Sequence, residues 1–172
     1  MLIHDGLPTT LQSSAKIRFQ DCDPFGHLNN ARYIDYFMNA RTDQIAAHYD
    51  LHIMEYGKTP TESWVVTKNQ IAYLAPAFLA EDVTIQTRII HLTDSQILVE
   101  GLMLGQGERR LKAVCWMEFT YVSLRQGKIA VHPDDVAKLL SSVHYENSPD
   151  ALDFDARVRE LKAQYRKAAV VE

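Results

Sequence analysis

Between about residue 30 and about residue 49 runs a segment that must be enclosed by the rest of the chain. Ala31, Ile34, Phe37, Met38, Ile45 and Tyr49 recur at helical spacing, and Tyr33, Tyr36 and Ala40 fill much of the opposite side of its first half. At the standard rise this makes a helix roughly 30 Å long. A helix that is apolar nearly all round cannot lie on a surface. Whatever surrounds it decides the fold.

The wrapping is legible as strands. Lys16 to Gln20 alternates like a short half-buried strand, after a polar, irregular stretch over residues 1–14. Trp64 to Tyr73 is rich in β-branched and aromatic residues, and Val83, Ile85, Thr87, Ile89 and His91 alternate against Thr84, Gln86 and Arg88. Thr93-Asp94-Ser95 turns tightly into Gln96 to Leu104, and Gly105-Gln106-Gly107-Glu108 turns again into a strand from Arg109 to about Ser123. Such short connections make antiparallel neighbours. Pro133-Asp134-Asp135 opens a short helix, and Leu152 to Ala168 reads as a second, highly charged one. The expectation is an α+β fold: an antiparallel sheet wrapped around one long central helix, with a C-terminal helical extension. A single curled sheet leaves an edge and the far side of the helix uncovered, which predicts pairing of subunits.

Composition narrows the function classes. The 172 residues suit one domain able to bury its own core. A formal charge of −4 argues against nucleic acid as a partner. No apolar run approaches a membrane span, and Met1 to Ser14 lacks the pattern of a signal peptide. Cys22 and Cys115 stand in unlike contexts and form no metal-ligand spacing. A cytoplasmic protein is expected.

Chemistry concentrates in Asp21-Cys22-Asp23-Pro24-Phe25-Gly26-His27-Leu28-Asn29-Asn30, at the junction into the long helix. Asp23 and His27 stand four residues apart beside a helix start, a set suited to acid/base work at a carbonyl. Taken alone Asp23 reads as the cap of an Asp-Pro turn, but His27 and Asn30 in register favour chemistry; His27 reads also as a structural histidine bonded to a backbone carbonyl. Asn29 or Asn30 is placed to cap the helix, while Gly26 permits close backbone approach. Asp21, Asp23 and His27 have no further ligand nearby, so no metal is expected. An aspartyl phosphotransferase would need a later hydroxyl residue and a parallel βαβ unit, and neither is present.

The stretch Ile17 to Tyr33, continued by Tyr36 and Ala40-Arg41, resembles the hotdog-fold acyl-CoA thioesterases of the 4-hydroxybenzoyl-CoA thioesterase type. Tyr73-Leu74-Ala75-Pro76-Ala77 with Glu81-Asp82 is similar as well. The resemblance implies an irregular segment over 1–14, a hotdog thioesterase domain over 15–125 and a helical extension of the same domain over 126–172. It implies hydrolysis of an acyl-CoA to free acid and coenzyme A, with no cofactor beyond the substrate's own coenzyme A. Asp23 falls at the catalytic position, as nucleophile or as base, with His27 in support. Gly26, Asn30 and Tyr33 fall to substrate binding, the Asn30 amide serving as oxyanion donor at the helix N-terminus. Tyr33 and Tyr36 are residue types more often found in cores and interfaces. Arg88, Arg109 and Arg110 are candidates for coenzyme A contacts, against a reading as solvated surface charges. A homodimer, or a pair of dimers, is implied. The rival readings are a non-catalytic acyl-thioester-binding module and a hotdog hydratase or dehydratase.

Overall fold

The computed structural model describes residues 6–53, 61–105, 107, 110–146, 149 and 152–168. Its elements are β1 (Thr10–Lys16), α1 (Tyr33–Tyr49), β2 (Glu62–Tyr73), β3 (Asp82–Leu92), β4 (Gln96–Leu104), β5 (Leu111–Ser123), β6 (Lys128–Ile129), α2 (Asp134–Ser142) and α3 (Phe154–Ala168). The sheet runs β1-β3-β4-β5-β2 with every neighbour antiparallel, and β6 adds to β5. This is the curled sheet around a helix expected from the sequence.

The first strand lies elsewhere than expected. β1 occupies Thr10–Lys16, mostly inside the 1–14 stretch read as irregular and meeting the expected strand only at Lys16, while Phe19–Asp21 forms a single 3-10 turn. Strand Thr10–Lys16 is an edge strand in which Leu11 alone is fully buried, so it carries no run of alternating apolar residues to betray it. Its identity comes from pairing with β3, Leu11 opposite Thr87 and Ala15 opposite Val83.

Helix α1 also departs from the all-round apolar reading. It buries one stripe, Tyr33, Phe37, Ala40, Arg41, Gln44, Ile45 and Tyr49, and leaves Asp35, Asn39, Thr42 and Asp43 exposed. The stripe is partly polar, so it is satisfied by hydrogen bonds. Gln44 Nε2 donates to Ser13 Oγ (2.9 Å) and to the Ile85 carbonyl (3.0 Å), and Thr87 Oγ1 donates to Gln44 Oε1. Arg41 Nη1 donates to Thr87 Oγ1 at 3.3 Å. Burial pushes the Arg41 guanidinium down to about 10, which still leaves it charged at neutral pH. The helix comes close to the sheet because β4 offers Gly101, where a Cβ would lie 2.6 Å from the Phe37 ring.

The sheet is covered on its other face too. Leu102, Leu104, Leu111 and Val114 form a second core with Val158 and Leu161 of α3. At its centre Glu100, fully buried, accepts from Arg157 Nε (2.9 Å), Arg88 Nε (2.9 Å) and Trp116 Nε1 (3.1 Å). This explains why β5 reads as a nearly continuous buried run: helices lie on both of its faces.

Candidate active site

The segment between β1 and α1 folds back on itself. Cys22 bridges Leu28, the Asp23 N–H donates to the His27 carbonyl (2.8 Å), and the Gly26 N–H donates to the Asp23 carbonyl (3.0 Å). Asp23 Oδ1 accepts from the N–H of Phe25 (2.9 Å) and of His27 (3.1 Å). The turn needs a residue with positive φ at its tip, and Gly26 supplies φ 76°. The turn reading of Asp23 therefore holds, yet it occupies one oxygen only. Among the described residues no donor lies on Oδ2. Asp21 is structural: its Oδ2 accepts from the Tyr36 hydroxyl at 2.9 Å.

The same loop delivers the chain into the helix. A 3-10 turn, Asn30–Arg32, precedes α1, and Asn29 rather than Asn30 caps it. The Asn29 side chain accepts from the Ala31 N–H (3.0 Å) and its carbonyl from the Arg32 N–H (2.8 Å). Among the described residues nothing accepts from the Asn30 N–H, one of the donors that a helix start leaves over. The Tyr73 hydroxyl donates to the Asn30 carbonyl at 2.9 Å and so holds that peptide in place. Tyr33 meets Tyr73 edge to face, ring centroids 5.1 Å apart, and its hydroxyl accepts from the Ala77 N–H at 3.3 Å. Burial pushes both phenols up, keeping them protonated.

Asp23, His27, Asn30, Tyr33 and Tyr73 line one open cleft of about 270 Å³, walled on the far side by Leu74, Ala75 and Pro76. Four of the five residues expected to act are thus brought together, and Gly26 shapes the turn behind them. A larger groove, about 610 Å³, lies between β1 and α1, lined by Asp35, Tyr36, Asn39 and Asp43 among others. It has carboxylates but no imidazole, so volume does not choose the site. Among the described residues no three of His, Cys, Asp and Glu gather as metal ligands.

Three residues differ from expectation or escaped it. Arg88 is neither solvated nor free for coenzyme A: its guanidinium pairs with buried Glu100 and lies 4.3 Å from the Tyr145 ring centroid. Arg110 is exposed in the β4–β5 connection, and Arg109 falls outside the described residues. Phe78, edge-on to the His27 imidazole at 5.0 Å, carries no sequence signal of its own. Tyr73 stood in a motif without a role, because its hydroxyl meets Asn30 across 43 residues.

A strand-wrapped helix with a carboxylate, an imidazole and a spare amide at its entrance defines a class. Residues 17–140 match the family model of the thioesterase-like superfamily, and the chain belongs to that family. It is a hotdog-fold thioesterase. It is 24% identical over 118 residues to the long-chain acyl-CoA thioesterase FadM of Escherichia coli, covering 69% of this chain and 87% of that protein. Its fold is similar to that of Slr0204, a 1,4-dihydroxy-2-naphthoyl-CoA thioesterase from Synechocystis, with TM-score 0.70, 13% identity and coverage of 77% and 96% of the two chains. YbaW, a probable thioesterase from Escherichia coli, superposes with TM-score 0.63 and 21% identity over 78% of this chain and 99% of that one. The family match ends before α3.

Proposed function

We propose that this cleft hydrolyses an acyl-CoA thioester to a free acid and coenzyme A, with Asp23 as the acting carboxylate. One observation supports the reading: Asp23, His27 and Asn30 line a single cleft, and among the described residues one Asp23 oxygen and the Asn30 N–H take no protein partner. The thioester carbonyl lies against the Asn30 N–H, whose positive helix-start environment stabilises the oxyanion. Asp23 Oδ2 either attacks the carbonyl carbon or takes a proton from an attacking water. The C–S bond then breaks, and His27 orients the thioester or passes a proton to the leaving thiolate. Where Asp23 is the nucleophile, water next cleaves the acyl–Asp23 anhydride, releasing the acid and restoring the carboxylate. Tyr33 and the turn at Gly26 shape the binding surface. Water is the only co-substrate, so the reading uses no cofactor and no metal. Two of the similar proteins are named for CoA thioesters, which supports coenzyme A as the thiol. The two cysteines, both free, accord with a cytoplasmic setting.

The reading includes a homodimer paired through β2. Its outer edge has no strand beside it among the described residues, and Val65 and Val66 on it are 37% and 39% exposed.

The test is thiol release from a panel of acyl-CoA substrates by wild-type protein and by Asp23→Asn. The asparagine keeps an Oδ1 acceptor for the turn and removes only the charge. Turnover should fall on the order of 10²–10⁴-fold. A folded Asn variant with near wild-type turnover would remove Asp23 from the chemistry, and tight binding of acyl-CoA without any thiol release would make the protein a binding module.

A further inference from the structure

We infer that Lys112 and Glu81 are positioning residues for this site, setting the His27 imidazole through the Phe78 ring; the catalytic part of the inference rests on the proposed function. Lys112 lies on β5 and is 2% exposed, a place where an ammonium is costly unless paired and hydrogen-bonded. Its Nζ stands 2.7 Å from Glu81 Oε1 and donates to the Pro76 carbonyl at 2.8 Å. Its own carbonyl accepts from the N–H of Leu74 (2.8 Å) and of Ala75 (3.1 Å). One residue therefore grips the wall of the cleft from both its backbone and its side chain. Gly105 makes room for it, since a Cβ there would lie 2.8 Å from Lys112 Cε.

The grip passes on to the loop that carries Asp23. Glu81 Oε2 accepts from the Phe78 N–H at 2.8 Å, and Lys112 Nζ sits 5.5 Å from the Phe78 ring centroid. That ring meets His27 edge-on at 5.0 Å. It is 46% exposed, so burial alone does not hold it; the hydrogen bond and the cation do. The backbones interlock alongside, the Leu28 N–H on the Ala77 carbonyl (2.8 Å) and the Leu79 N–H on the Gly26 carbonyl (2.9 Å). An apolar residue at 112 could fill the space but would leave Glu81 without its cation, and removing one partner of a buried ion pair is destabilising. It could not hold Pro76, Glu81 and Phe78 at one geometry. The pair serves placement as well as stability.

The experiment is a double-mutant cycle on kcat, using Lys112→Met, His27→Ala and their combination, with Lys112→Arg as the conservative variant. Lys112→Met should lower kcat about ten-fold or more with KM within about two-fold, the signature of misplacement. In the His27→Ala background the same change should cost less than about three-fold, because its target is gone. Lys112→Arg should recover most of the loss. Equal losses in both backgrounds, or a wild-type rate in folded Lys112→Met, overturn the inference. If Lys112→Met does not fold, Phe78→Leu at its half-exposed position takes its place in the cycle. A second readout needs no activity: the His27 imidazole proton resonances should shift in Lys112→Met and in Phe78→Leu, whereas those of His91 should not. If no thioester is hydrolysed the proposed function fails, and this readout still decides: a shifted His27 upholds the positioning and an unmoved one overturns it.

Discussion

At Asp23 only one carboxylate oxygen has a donor among the described residues, and that separates two substitutions usually treated alike. Asp23→Asn retains an acceptor for the Phe25 and His27 N–H groups, whereas Asp23→Ala removes it. Both should lose turnover, but only the alanine variant should also lose stability, by about 1 kcal/mol for the abandoned turn. Paired thermal melts and thiol-release rates resolve the two effects. Gly26 offers a purer test of backbone strain. No heavy atom lies within 4 Å of where its Cβ would stand, so Gly26→Ala meets no clash, only φ 76°. Denaturant unfolding should show a cost of about 1–2 kcal/mol. A neutral result would mean that the loop relaxes out of the left-handed conformation.

Among the elements, α3 is anchored by charge as much as by apolar contact. Burial alone would raise the Glu100 carboxyl, but the guanidinium groups of Arg157 and Arg88 outweigh it and hold it below its usual range. A carboxyl held low in the folded state adds stability that is complete above its unfolded value near 4.5 and is lost as pH falls through the folded value. Stability should therefore decline with acid in wild-type protein, and Glu100→Gln should remove this part of the decline. At neutral pH the same variant leaves two arginines facing a neutral amide. It should lose roughly 3–5 kcal/mol. Unfolding curves at pH 7 and at pH below 4.5 for both proteins check the prediction; parallel pH dependence would place the acid sensitivity elsewhere.

For the whole molecule, α3 covers the outer face of the sheet, and among the described residues no strand lies beyond β2. We expect light scattering at low micromolar concentration to give at least twice the 19.6 kDa chain mass. Val66→Pro, which removes an N–H directed away from β5 at the outer edge, should shift the population toward monomer. An active wild-type monomer would remove the pairing from the proposal.

How much of this was legible follows from the range of the interactions. Asp23, His27 and Asn30 could be read together because one turn and one helix start, both built from contiguous residues, bring them to the same cleft. The long strands announced themselves through alternation and short turns, and α1 through its helical spacing. Edge strand β1 stayed hidden, since a strand with one fully buried residue has no apolar rhythm and exists through its ladder to β3. Arg88 reads as a surface charge, yet it pairs with Glu100, which Arg157 also holds from a helix 57 residues beyond that carboxylate. Lys112 meets Glu81 across 31 residues. The sequence by itself determined the local elements and the chemical set at the mouth of α1, because hydrogen bonds between near neighbours follow from residue type and spacing. The tertiary structure alone decided which charges are buried and which loop braces the site, because desolvation and long-range pairing depend on which strands become neighbours.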